Sequence, residues 1–118
     1  MPNRIRAVFY NKSANDAGCY LLKFYLNGVP TGVMIDDIFL TDGSNLIFAQ
    51  SVDKELWVPL IEKAWAKVLG SYTRANGGGE DEALHTLIGT PVKKIDHKEV
   101  RTDKIKKEKH WEVLKSLD

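Results

Sequence analysis

Glu55-Leu-Trp-Val-Pro-Leu-Ile-Glu-Lys-Ala-Trp-Ala-Lys-Val-Leu69 is the stretch on which the fold turns. Trp57, Leu60, Ile61, Ala64, Trp65, Val68 and Leu69 recur at helical spacing, so they form one apolar stripe. Glu62, Lys63 and Lys67 fall on the other face. The two tryptophans bring large apolar area, which predicts a long amphipathic helix as the main core donor. Pro59 lacks an N–H and is tolerated only in a first turn, so the spacing places the helix start near Glu55 or Leu56. Asp53 stands where an N-cap is expected, and Gly70 suits the C-terminal stop.

Outward from the helix, the preceding residues read as sheet. Cys19–Leu26 is a run of aromatic and apolar residues ending at Asn27-Gly28, a strong hairpin signal. With Pro30 and Gly32 assigned to the turn, the second strand begins at Val33 and runs through Asp36-Asp37 to Leu40. Asp42-Gly43 marks another turn, and Asn45–Ala49 reads as a third strand. The expectation is an α+β fold, a three-stranded antiparallel meander packed on the helix by its apolar face. Ile5–Phe9 reads either as a brief strand or as the end of a helix, and Asn11–Gly18 as turn. After the helix, Gly77-Gly78-Gly79 is a loop. Glu80-Asp-Glu opens a short helix with acids at its favourable end, and that helix stops by Gly89. Residues 92–102 read as linker. From about Asp103, Ile105, Trp111, Leu114 and Leu117 suggest a final amphipathic helix.

The 118 residues fit one domain or a piece of a larger one. Apolar content of 43% and charged content of 28% are ordinary for a globular domain. A net charge of +1 recruits neither nucleic acid nor an anionic membrane. The basic run Lys93–Lys109 has no interleaved aromatics, so it reads as a solvated face rather than a base-stacking surface. No run is long enough for a membrane span, and the N-terminus has no secretory h-region. Cys19 is the single cysteine, which excludes an internal disulfide and points to a reducing, cytoplasmic setting.

No catalytic constellation assembles from spacing alone. Cys19 begins an apolar strand, where a buried, inert thiol is the usual outcome. His85, His97 and His110 lack metal-ligand spacing. Asp36 and Asp37 point to opposite faces of a strand and do not pair. The glycine run is followed by acids, not by the lysine of a phosphate loop.

A more specific signal lies in linked strings. They are Ala17-Gly-Cys-Tyr20, Val33-Met-Ile-Asp-Asp37, Leu46-Ile-Phe48, Glu55-Leu-Trp57, Leu60-Ile-Glu-Lys-Ala-Trp-Ala-Lys67, Gly70-Ser-Tyr72, Gly77-Gly78 and Ile88-Gly89. In this order the chain, over roughly residues 17–92, resembles the catalytic core of calpain-type cysteine proteases. The resemblance implies a papain-like core of two subdomains flanking a cleft. It places residues 1–92 in the first subdomain and 93–118 in a linker and the start of the second. Such cores carry their nucleophile in a Gly-Asp-Cys-Trp string, which this sequence lacks. The resemblance therefore puts that string before Met1 and the catalytic histidine and asparagine beyond Asp118. Cys19 matches an ordinary strand position.

By the same resemblance, Gly77 and Gly78 match a pair whose backbone binds extended protein or peptide substrates, and glycine suits such close approach. Glu55 matches a calcium ligand. Calcium needs six to eight oxygens, so one carboxylate serves only within an intact core. The implied function is part of a calcium-dependent calpain-like endopeptidase, contributing a cleft wall and no catalytic residue. The alternative is a non-catalytic calpain-like binding or scaffold module. A missing nucleophile helix would leave apolar surface exposed, which predicts self-association.

Overall fold

A computed structural model describes residues 3–53, 55–93, 111–112 and 115–116. The expected final helix and linker fall outside these residues, save for 92–93, 111–112 and 115–116.

The elements run in order α1 (Asn3–Arg6), β1 (Cys19–Leu26), β2 (Val29–Asp36), α2 (Trp57–Leu69), α3 (Tyr72–Ala75) and α4 (Glu80–Ile88). The class is α+β. β1 and β2 form an antiparallel hairpin in which Leu26 pairs with Val29 and Cys19 with Asp36. Its turn is only two residues long. Asn27 (φ 52°) and Gly28 (φ 78°) both take positive φ, which matches the twist of the flanking strands. Pro30 and Gly32 therefore lie inside β2 instead of in the turn, and β2 starts four residues earlier than the composition suggested. Pro30 is tolerated there by register. The Tyr10 N–H donates to Leu21 O and the Lys23 N–H to Val8 O, so odd-numbered β1 residues bond away from β2. Tyr25 and its partner Pro30 thus form a non-hydrogen-bonded pair, with the proline nitrogen on the open edge.

The expected third strand does not form. After Asp36 the chain leaves the sheet. The Ile38 N–H turns back to Asp36 Oδ1 at 3.0 Å, and Lys63 of α2 binds both the Asp36 carboxylate and Ile38 O. Residues 45–49 make a single bridge, Thr41 with Leu46, and Ile47 N–H donates to Leu40 O. The free side of β1 is met instead by Phe9, bridged to Leu22. Thus the first segment is both things its sequence allowed, a helical turn followed by a bridge.

α2 has 13 residues and is shorter than the long helix expected: it begins at Trp57, one or two residues after the expected start, with Leu56 as its N-cap and no capping side chain. Asp53 is not the cap. The start at Trp57 puts Pro59 in the first turn, where its missing N–H is no loss. Gly70 closes the helix in the left-handed conformation (φ 95°), as its position predicted. Of the stripe, Leu60 and Ala64 are buried, while Trp57, Ile61, Trp65 and Val68 pack around them half-buried. The tryptophans are flanking cover rather than the centre.

Val8, Phe9, Tyr20, Leu22, Phe24, Val33, Ile35, Leu60 and Ala64 form the core. By strand alternation, Tyr20, Leu22 and Phe24 of β1 share one face with Val33 and Ile35 of β2. Leu22 and Phe24 are fully buried, each contributing roughly 1.5–3 kcal/mol by area. Trp65 meets Phe24 edge to face at 6.3 Å. α2 packs against β2 and α4 against β1.

Candidate functional site

α2 runs into Gly70 and then into α3, which composition alone had not marked. The Ser71 hydroxyl caps α3 by accepting the Arg74 N–H at 3.2 Å, and the Asn76 N–H closes it on Tyr72 O at 3.1 Å. Ser71, a preferred N-cap residue directly after the Gly70 stop, was the available signal. Directly after this closure come Gly77 (φ 99°) and Gly78 (φ 138°), backbone conformations that L side chains rarely adopt. Both are exposed, and among the described residues, their chain neighbours aside, nothing lies within 4 Å of where a Cβ would stand. Main-chain groups are thus open to approach from outside. A cavity of about 470 Å³ adjoins Gly78, lined also by Gly79, Glu80, Asp81, Leu84, Val92 and Lys93. A second groove of about 510 Å³ lies between β2 and α2, lined by Met34, Ile35, Asp36, Lys63, Lys67 and Tyr72 among others.

Glu55 lies just before α2 and is exposed. The Trp57 indole N–H donates to its Oε2. Among the described residues no group of three or more His, Cys, Asp or Glu is placed to hold a metal ion. These residues therefore do not fit a calcium site by themselves, since one carboxylate falls far short of the six to eight oxygens required.

Cys19 is exposed, not buried as its strand position suggested. It opens β1 at the sheet's end, where its peptide N–H and C=O are tied to the Asn15 side chain. Among the described residues no hydrogen bond links its thiol to a base. His85 uses Nδ1 on Thr90 O at 2.8 Å. Asp36 and Asp37 part company as expected. Asp36 pairs with Lys63, which holds its carboxyl below the usual range, helped by the Ile38 N–H. The Asp37 N–H donates to Gly18 O.

The described residues thus define an α+β scaffold that presents a glycine loop and assembles neither a nucleophile–base pair nor a metal centre. Comparison with known sequences names its family. The family model described as calpain family cysteine protease matches residues 1–117, and the chain belongs to that family. Calpain-7 of Homo sapiens is 44% identical over 77 residues, covering 64% of this chain and 9% of that protein. Calpain-type cysteine protease DEK1 of Zea mays is 34% identical over 96 residues, covering 80% of this chain and 4% of that protein. The calpain-1 catalytic subunit of Mus musculus is 35% identical over 101 residues, covering 83% of this chain and 14% of that protein. The chain thus spans a small part of the length of each of these relatives.

Proposed function

We propose that the chain is one wall of the substrate cleft in a calcium-dependent, cytoplasmic calpain-type endopeptidase, with Gly77 and Gly78 as the substrate-binding residues. The observation that carries this reading is the pair of exposed, positive-φ glycines in a chain whose family match runs over residues 1–117. An extended protein substrate pairs with their main chain, and the lack of a Cβ permits close approach whatever the substrate's side chains. The nucleophile, histidine and asparagine come from outside these residues, consistent with the absence of a Gly-Asp-Cys-Trp string. Glu55 contributes one carboxylate to a calcium site whose other oxygens also lie elsewhere.

The purified chain, given an unstructured protein substrate and calcium, is expected to cleave nothing. Cleavage that disappears on Cys19→Ala would overturn the reading. In a calpain core carrying this segment, Gly78→Val is expected to raise KM about tenfold or more, with a smaller change in kcat. An unchanged KM removes the glycines from the binding surface. The exposed aliphatic residues of the 37–53 loop give the isolated chain an adhesive surface, so it self-associates.

A further inference from the structure

Residues 37–53 leave the sheet and return along α2, where a clamp holds them. The Phe48 and Tyr72 rings stack with centroids 4.1 Å apart and planes 4° from parallel. The next peptide is fixed too, because the Ala49 N–H donates to Glu62 Oε2 at 2.7 Å. Tyr72 is also the first residue of α3, and its carbonyl accepts the Asn76 N–H. Asn76 immediately precedes Gly77. Gly77 and Gly78 themselves offer no side chain to pack, so their placement depends on how the loop's ends are held. Tyr72 therefore touches both segments directly, the 37–53 loop through its ring and the approach to the glycine loop through its carbonyl. Burial and the nearby Glu62 and Asp36 carboxylates push the Tyr72 pKa up, so the stacked ring stays neutral through physiological pH.

The geometry points to Tyr72 as a positioning residue for the Gly77–Gly78 backbone, acting through its stack on Phe48. Its functional meaning rests on the reading of those glycines as substrate contacts, but its physical content does not. On the purified chain, amide exchange at Asn76 and ¹⁵N relaxation at Gly77 and Gly78 read the effect. Phe48→Ala and Tyr72→Ala are each expected to speed Asn76 exchange about three- to tenfold, the range for losing one stacked aromatic pair. They should also loosen both glycines while leaving the amides of β1 unchanged. The double variant should add little, and Tyr72→Phe, which keeps the ring, should match the unmodified chain. Unchanged Asn76 exchange in Phe48→Ala would overturn the inference. So would an equal rise across β1, because that is global destabilisation. Phe48 is partly exposed, so its truncation tests the link even where Tyr72→Ala fails to fold. In a core carrying the segment, the KM test of Gly78→Val judges the substrate reading separately. A loosened loop with no effect of Gly78→Val would sink that reading and leave the positioning role intact.

Discussion

At Gly89 two constraints coincide. Its φ is 71°, and a Cβ there would stand 2.7 Å from Tyr25 ring atoms. Gly89→Ala is therefore expected to destabilise the fold by about 1–3 kcal/mol, through strain and overpacking together. A lowered urea midpoint with unchanged slope checks it. The sequence marks Gly89 as a helix stop, but the tyrosine ring across from it belongs to a strand more than sixty residues earlier, so only packing reveals the clash. Asp36 carries a second prediction. Its folded pKa is depressed, so its contribution is complete above the ordinary carboxylate value of about 3.9 and is lost as pH falls through the lower folded value. Asp36→Asn should flatten the acid limb of the stability–pH curve below about pH 4 and leave its neutral part little changed in slope. An identical acid limb in the variant would show that the Lys63 pair contributes nothing to stability.

The elements show where local pattern suffices and where it does not. α2 is legible because seven apolar positions share one period and Pro59 and Gly70 bracket it. How deeply each position is buried is not legible, because the helix meets a two-stranded sheet too narrow to cover the whole stripe. Leu60 and Ala64 take the centre, and the bulkier Trp57 and Trp65 close the sides. Leu60→Ala is expected to cost about 2–5 kcal/mol, whereas Lys67→Ala, which removes only an exposed hydrogen bond to Met34 O at 2.6 Å, should cost about 1 kcal/mol or less. Comparable losses for the two would contradict this packing. The third strand failed as an expectation for a related reason. Asn45–Ala49 has strand composition, but Lys63 gathers Asp36 and Ile38 toward α2, and Glu62 takes the Ala49 N–H. Side chains of a distant helix thus claim polar groups of the segment that a ladder would have used.

On the scale of the whole molecule, the 37–53 loop exposes Ile38, Leu40, Ile47 and Val52, the last 99% exposed. Sedimentation of the chain should show concentration-dependent association that Ile38→Lys with Ile47→Lys suppresses. A monomer at all concentrations would oppose the adhesive role of this loop. Among the described residues no helix is long and apolar enough to cross a membrane. Millimolar calcium is expected to leave the chain's Tm unchanged, since among the described residues no group of three or more His, Cys, Asp or Glu is placed to hold the ion. A rise of several degrees would mean that the chain holds a complete site.

The sequence by itself determined the α+β class, the helix with its terminal glycine, the Asn27-Gly28 hairpin and the family, because each rests on a local string or a short period. Gly77 and Gly78 were legible as candidates for the same reason. The tertiary structure alone decided that β2 begins at Val29, that Phe9 rather than residues 45–49 borders β1, and that Cys19 is exposed. It also decided that Tyr72 bridges the 37–53 loop to the glycine loop. Each of these depends on which distant group reaches a given peptide or ring first, a competition among contacts that a linear pattern does not record.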